Sequence, residues 1–217
     1  MKLFLIILLL PLSVFSQTST VIDKPIVYLN ENDSIISQKD FDKQLHHAVN
    51  IEGYYETDTT FVAKLYTRSF FDSISPGNNQ KIREYVSMLT GNKPEDSDII
   101  IIQFYSGLRN RISDLDQPYW KKKDKDYVRG LPKSIKKQVK AYYIYHHDFS
   151  PEDSGAKKWG WVYDKNRLIE YAFFPIHFNY NNTIVIMPDG KTFTYYGEHG
   201  PDQIKEGLKE LVSQNND

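Results

Sequence analysis

The hydrophobic positions of this chain fall into short blocks, and the strongest block, residues 98–105, contains four consecutive isoleucines. A continuous β-branched run of this kind is typical of a strand that is buried on both faces, as in the centre of a parallel sheet. Side chains alternate between the two faces of a strand. We therefore expect the even-numbered residues from 100 to 104 on one face and the odd-numbered residues from 99 to 103 on the other.

Three further strands and two helices are predicted after this block. The strands cover residues 140–149, 183–187 and 191–196. Residues 188–190, Pro-Asp-Gly, form a turn of the kind that joins antiparallel strands. A helix is expected around residues 163–172, and Pro201 begins a last helix with apolar residues at helical spacing. This alternation of strands and helices predicts the α/β class.

The chain before residue 93 carries shorter versions of the same patterns. Strands are expected at residues 25–29 and 59–67. Ser37 is a suitable N-cap for a helix that contains Phe41, Leu45 and Ala48, and a second helix ends at Gly91. Residues 92–97 are polar and contain a proline, so we place a domain boundary there. The predicted organisation is a small α/β region at residues 17–92, followed by a domain at residues 93–217.

The first sixteen residues have the layout of a secretory signal peptide. Lys2 supplies a positive start, residues 3–10 are uniformly apolar, and Val14 and Ser16 are placed for cleavage before Gln17. The apolar stretch is shorter than the roughly 20 residues that span a membrane, and no second long apolar run follows. We therefore expect an exported protein, periplasmic or extracellular, whose mature chain has no transmembrane anchor.

Composition removes several classes of chemistry. The chain has no cysteine, which excludes disulfides, thiol nucleophiles and thiolate metal sites. Its formal net charge is −1, so it has no general attraction to nucleic acid, and we expect no nucleic acid partner. It contains no phosphate-binding glycine loop and no recognisable metalloprotease, esterase or EF-hand motif. We therefore expect no cofactor.

The order of elements from Asp98 onward resembles the thioredoxin-like fold. It reads strand, connector, strand, helix, strand, turn, strand, helix, and the closest local match is residues 182–191 with the following Tyr196-Gly197 and the last helix. The resemblance implies a mixed sheet flanked by helices. It also implies a Cys-x-x-Cys pair after the first strand and a cis-proline before the third. Residues 105–111 contain no sulfur and no proline lies next to Asn182, so thiol–disulfide exchange is excluded.

Five residues form a candidate metal or acid–base site. On a strand, His146 and Asp148 would share a face. His177 or His199 could supply a third group, and Glu198 beside His199 is a carboxylate that could take part in proton transfer. The competing interpretation is a polar strand end at residues 146–148, with Glu198 and His199 capping the last helix. We assign no catalytic, cofactor-binding or metal-binding residue on this evidence.

Residues 121–140 carry nine basic residues against two acidic ones. The candidate basic patch within them is Lys121, Lys122, Lys123, Lys125, Arg129, Lys136 and Lys137. Tyr119, Trp120 and Tyr127 lie within or beside this segment, and basic residues with aromatic neighbours can bind anionic polymers. The competing interpretation is a solvated connector whose lysines keep it soluble. An exported protein would meet an anionic glycan before it met DNA.

The signal peptide, the glutamine at the mature start and the many Lys, Asn, Ile and Tyr residues resemble exported proteins of flavobacteria and their relatives. We therefore expect a non-enzymatic binding or interaction module of the bacterial envelope, with an envelope protein or an anionic glycan as its partner. Two alternatives remain open. One is a metal-dependent or acid–base hydrolase that uses His146, Asp148 and His199; the other is an immunity or adaptor protein that masks a partner.

Overall fold

The computed structural model describes residues 24–106, 125–146, 160–176, 178 and 181–214. The predicted signal peptide at residues 1–16 lies outside the described residues, and so do Lys121, Lys122, Lys123, Asp148 and His177. In the part of the chain that the structure describes, none of the helices has the length and apolar character needed to cross a bilayer.

The first sheet has four strands in the order β2-β1-β4-β3. Its strands are β1 Ile26–Leu29, β2 Ile35–Ile36, β3 Asn50–Glu56 and β4 Phe61–Thr67. Strands β1 and β4 are parallel, and the β1–β2 and β3–β4 pairs are antiparallel. Helix α1, Gln38–Gln44, covers one face of the sheet, where Phe41 packs with Ala63 and Leu65.

Helix α1 begins as predicted and ends earlier than predicted. The Ser37 hydroxyl accepts a hydrogen bond from the Asp40 N–H, which is the expected N-cap. The apolar spacing suggested a helix that continued to Ala48. Instead, the Asn50 side chain replaces the next turn: its amide donates to the Gln44 carbonyl at 3.0 Å, and its oxygen accepts from the His46 N–H at 2.8 Å.

The second sheet has six strands in the order β5-β10-β9-β6-β7-β8. The strands are β5 Ser69–Ser73, β6 Ile99–Tyr105, β7 Val139–Tyr145, β8 Trp161–Tyr163, β9 Asn181–Ile186 and β10 Lys191–Tyr195. Helix α2 spans Pro76–Thr90, α3 spans Lys133–Gln138, α4 spans Leu168–Phe173 and α5 spans Pro201–Ser213. Strands β6, β7 and β8 are parallel, whereas β9 is antiparallel to both β6 and β10, and β10 is antiparallel to β5. This is the mixed sheet flanked by helices that the resemblance implied.

Strand β6 is the buried central strand, and the predicted alternation of its side chains is confirmed. Ile100, Ile102 and Phe104 pack with residues of α2 and α4, on what we call the α2–α4 face. Ile99 and Ile101 pack with residues of α5 on the opposite side, which we call the α5 face. The sheet around β6 is mixed rather than parallel, because β9 pairs with it in the antiparallel direction.

Three boundaries differ from those expected. The helix predicted around residues 163–172 starts at Leu168, because residues 161–163 extend the sheet as β8. The strand predicted to reach residue 149 ends at Tyr145. The chain leaves the first sheet at Arg68, so β5 and α2 belong with the second sheet. The domain division between residues 92 and 93 stays a prediction, and this change of sheet precedes it along the chain.

Candidate functional site

The parallel strands β6, β7 and β8 end at one edge of the second sheet, and a polar residue follows each of them. These residues are Ser106, His146 and Asp164. The His146 N–H donates to the Tyr105 carbonyl at 2.9 Å, and the Asp164 N–H donates to the Tyr145 carbonyl at 2.8 Å, which fixes the three strand ends side by side. Ligands of open α/β sheets commonly bind at this carboxyl edge, so it is the first place to look for a site.

His146 lies on the α2–α4 face, because it continues the alternation of Tyr142 and Ile144, which both belong to that core. Its Nε2 is 3.3 Å from Oε2 of Glu170. The guanidinium of Arg167 donates to both oxygens of the same carboxylate, at 2.7 and 3.2 Å. His146 is 6% exposed and Glu170 is 2% exposed, so a substrate would have little access to either.

Asp164, which directly follows β8, forms hydrogen bonds with residues of α2 and α4. It is fully buried, and its two carboxylate oxygens accept hydrogen bonds from the Tyr85 hydroxyl at 2.6 Å and from the Glu170 N–H at 2.8 Å. The second bond satisfies a donor in the first turn of α4, where the N-cap residue makes no side-chain bond. Burial raises the pKa of Asp164 above its ordinary value, and the bonds from Tyr85 and Glu170 oppose that rise. Burial, followed by the bond to Asp164, raises the pKa of the Tyr85 phenol.

His199 lies on the α5 face, in a chain of hydrogen bonds with Gln103 and Thr183. The Gln103 amide donates to the Thr183 hydroxyl oxygen at 2.7 Å, and that oxygen is 2.9 Å from Nε2 of His199. Nδ1 of His199 is 3.0 Å from the Gly197 carbonyl, which can only accept, so Nδ1 carries a proton.

The structure therefore does not bring the two described candidate histidines together, since His146 and His199 lie on opposite faces of the sheet. The suggestion that Glu198 and His199 cap the last helix is also wrong. The N-cap of α5 is Gly200, it makes no side-chain cap bond, and His199 is held by the sheet instead. Within the described ranges, no three acidic or histidine side chains are grouped closely enough to hold a metal ion.

A second candidate site lies at the opposite edge, where β6 and β7 begin. A cavity of about 520 Å³ opens there, and we call it the lysine pocket. The charged and aromatic residues that line it are Lys93, Lys125, Lys136, Lys140, Asp98, Tyr127 and Tyr142. The parallel register that pairs Ile99 with Val139 brings the segment before β6 beside the segment before β7. The pocket therefore combines lysines from two distant parts of the chain.

The charges of the lysine pocket are poorly compensated. Lys24, Lys64, Lys191, Lys205 and Lys209 each contact a carboxylate within ion-pair distance. Among the residues that the structure describes, none of the four pocket lysines has such a partner, and all four are exposed. Asp98 is the one carboxylate in the described lining, and its Oδ2 is engaged by the Glu95 N–H at 2.8 Å. The pocket is therefore a site of concentrated positive charge.

The predicted basic patch is divided by the fold. Lys125 and Lys136 line the lysine pocket, whereas Arg129 pairs with Asp126 and Lys137 is exposed outside the pocket. Lys93 lines the pocket but was not part of the predicted patch. The signal that could have identified it is the parallel pairing of β6 with β7, which places both strand starts at one edge.

Comparison with known proteins adds a likeness in fold. No protein-family model matches the chain, and no curated protein matches it. The N-terminal domain of PilB from Neisseria gonorrhoeae is similar over 57% of this chain and 88% of that chain, with 14% identity and a TM-score of 0.36. The pneumococcal exposed lipoprotein thioredoxin Etrx1 from Streptococcus pneumoniae strain TIGR4 is similar over 74% of this chain and 98% of that chain, with 13% identity and a TM-score of 0.35.

Neither likeness bears on what the chain binds or does. The thioredoxin-like arrangement is visible in the order of elements from β6 to α5, which runs strand, connector, strand, helix, strand, turn, strand, helix, with the short strand β8 added before α4. The sheet carries no cysteine at its carboxyl edge, because the chain has none. The lysine pocket at the opposite edge is the candidate site that this chain's own geometry supports best.

Proposed function

We propose that this protein is an exported, non-enzymatic binding module of the bacterial envelope whose partner is an anionic glycan. The observation that carries the proposal is the lysine pocket, where four exposed lysines surround one cavity with a single carboxylate in its described lining. Like charges held close together repel one another, and an anionic partner relieves that repulsion. Lysine attracts anions as a point charge without bidentate geometry, so the attraction is mostly Coulombic.

The contacts at the carboxyl edge favour binding over catalysis. Glu170 is already shared by His146 and Arg167, and Asp164 is already shared by Tyr85 and the first turn of α4. The hydrolase alternative depends on a meeting of His146 with His199, and these residues lie on opposite faces of the sheet. The alternative of an immunity or adaptor protein gains no specific support from the described contacts.

Polymer binding at two salt concentrations tests the proposal. The mature protein is titrated with polygalacturonate, with neutral dextran as the matched control, in 0.1 M and 1 M sodium chloride. We expect binding to polygalacturonate only, weakened by at least about tenfold at the higher salt, because the Debye length shrinks from about 10 Å to about 3 Å. Polygalacturonate chain length should not change during a long incubation.

Three results would contradict the proposal. Failure to bind polygalacturonate at 0.1 M salt would remove the anionic glycan as a partner. Equal binding of dextran, or affinity that does not depend on salt, would remove the Coulombic basis. Shortening of the polymer, retained after a second purification of the protein, would show that the protein is an enzyme.

Export is tested separately from binding. The apolar run at residues 3–10 and the cleavage pattern before Gln17 predict a mature chain that starts at or near that glutamine. Mass analysis of the N-terminus, on protein isolated from its native host, should find Gln17 or its cyclised pyroglutamate form. Mature protein that keeps Met1 would contradict the assignment to the envelope.

A further inference from the structure

We infer that the lysine pocket receives a single acidic sugar unit, a ring that carries a carboxylate or a sulfate; this inference rests on the proposed function. The pocket volume of about 520 Å³ lies within the range of about 300–1,000 Å³ that is usual for small-molecule sites. A cavity of this size has room for one acidic sugar unit, so the rest of a polymer would continue across the surface outside it.

The lysines of the pocket come from the two parts of the chain that lead into β6 and β7. Lys93 precedes β6, Lys140 lies in β7, Lys136 lies in α3, and Lys125 precedes α3. The segment between Lys125 and α3 is anchored by Tyr127, which is fully buried in the core on the α5 face. The backbone that carries the lysines is therefore held in place before binding, which reduces the ordering cost of binding.

Asp98 makes a sugar a better match than a bare anion. Its Oδ2 accepts from the Glu95 N–H, and among the described residues its Oδ1 accepts no hydrogen bond. A carboxylate opposes an inorganic anion in the same cavity, but it accepts hydrogen bonds from sugar hydroxyls. The lysines attract the acidic group of an acidic sugar, and the Asp98 carboxylate accepts hydrogen bonds from its hydroxyls.

Val128, Val139 and Ala141 complete the pocket with apolar carbon. All three are half-buried, and they pack against the core on the α5 face, which includes the fully buried Tyr127. Ligand pockets commonly combine such apolar lining with a few polar groups that fix orientation. The sugar ring would therefore contact carbon atoms while its acidic group faces the lysines.

Two double variants separate the pocket from the general charge of its segment. Lys136→Gln with Lys140→Gln removes two lysines that line the pocket. Lys133→Gln with Lys137→Gln removes the same charge from the same segment, and these two exposed residues do not line the pocket. Affinities are measured for trigalacturonate, whose acidic groups are all carboxylates, and for a κ-carrageenan disaccharide, whose acidic group is a sulfate, with maltotriose as the neutral control and inorganic sulfate as the bare anion. Urea unfolding confirms that both variants are folded.

We expect the wild type to bind at least one of the two acidic oligosaccharides. The oligosaccharide that binds more tightly shows whether the pocket prefers a carboxylate or a sulfate. The pocket variant should lose about tenfold in affinity, the magnitude expected for two exposed ion pairs, and the control variant should stay within about threefold of the wild type. Maltotriose should not bind, and inorganic sulfate should bind much more weakly than the acidic oligosaccharide.

Other outcomes overturn the inference in distinguishable ways. Equal losses of affinity in the two double variants would show that binding depends on the total charge of residues 133–140 rather than on the pocket. Inorganic sulfate that binds as tightly as the acidic oligosaccharides would show that the pocket recognises an anionic group and not a sugar. Polygalacturonate binding without binding of either oligosaccharide would overturn the pocket inference and leave the proposed function intact. No binding of polygalacturonate would overturn both.

Discussion

Replacing Ile101 by alanine is expected to lower the free energy of unfolding by about 2–5 kcal/mol. Ile101 is 0% exposed in the central strand β6 and packs in the core on the α5 face. Truncation removes buried methyl groups and leaves a cavity that the strands on either side cannot close, because both are held by backbone pairing. Urea unfolding of the purified variant measures the change.

Ile35 provides a matched control for this substitution. It is also a strand isoleucine, but it is 78% exposed on β2. Ile35→Ala should change the free energy of unfolding by less than about 0.5 kcal/mol. A loss below about 0.5 kcal/mol for Ile101→Ala, no larger than that of the control, would show that β6 does not occupy the centre of the core.

Replacing Asp164 by alanine is expected to cost about 2–6 kcal/mol, because two buried donors lose their acceptor at about 1–3 kcal/mol each. These donors are the Tyr85 hydroxyl and the Glu170 N–H. Asp58→Ala, at an exposed position, is the control and should change stability by less than about 0.5 kcal/mol. A near-zero effect of Asp164→Ala in urea unfolding would contradict the role assigned to this carboxylate.

The same residue gives a prediction about pH with a defined sign. Burial raises the pKa of Asp164 in the folded protein above 3.8, so between the unfolded and folded pKa values the folded state binds more protons. The folded state binds the Asp164 proton more tightly than the unfolded state does. The folding stability that this proton contributes is therefore fully present below the unfolded pKa and is lost as pH rises through the folded pKa. The stability advantage of the wild type over Asp164→Asn should be largest below the unfolded pKa of about 3.9 and should shrink as pH rises. An advantage that grows with pH would reverse this assignment.

The parts of the fold that could be predicted from the sequence are those fixed by local pattern. The isoleucine run of β6 predicted a strand buried on both faces, and the two cores on either side confirm the predicted alternation. The Pro-Asp-Gly turn predicted the β9–β10 pair, because Gly190 adopts the positive φ of 92° that this turn needs. The end of α1 could not be predicted, because the side chain of Asn50 replaces its next turn from outside the helix.

The candidate sites show where local pattern is insufficient. His146 was identified from the sequence, but Glu170 was not, because its role depends on the approach of α4 to the end of β7. Lys93 joins the lysine pocket only through the parallel register of β6 and β7. Periodicity gives the face on which a residue lies, whereas contacts between strand ends depend on the order of strands in the sheet.

The most direct test of the lysine pocket as the binding site maps where an acidic oligosaccharide binds, rather than how tightly it binds. Isotope-labelled mature protein is titrated with trigalacturonate, and backbone amide shifts are followed residue by residue. We expect the largest shifts at the lysine pocket, including Lys93, Asp98 and Lys140, and no significant shifts at His146 or Gly197 on the carboxyl edge. Shifts centred on His146 and Gly197, with the lysine pocket unchanged, would contradict it.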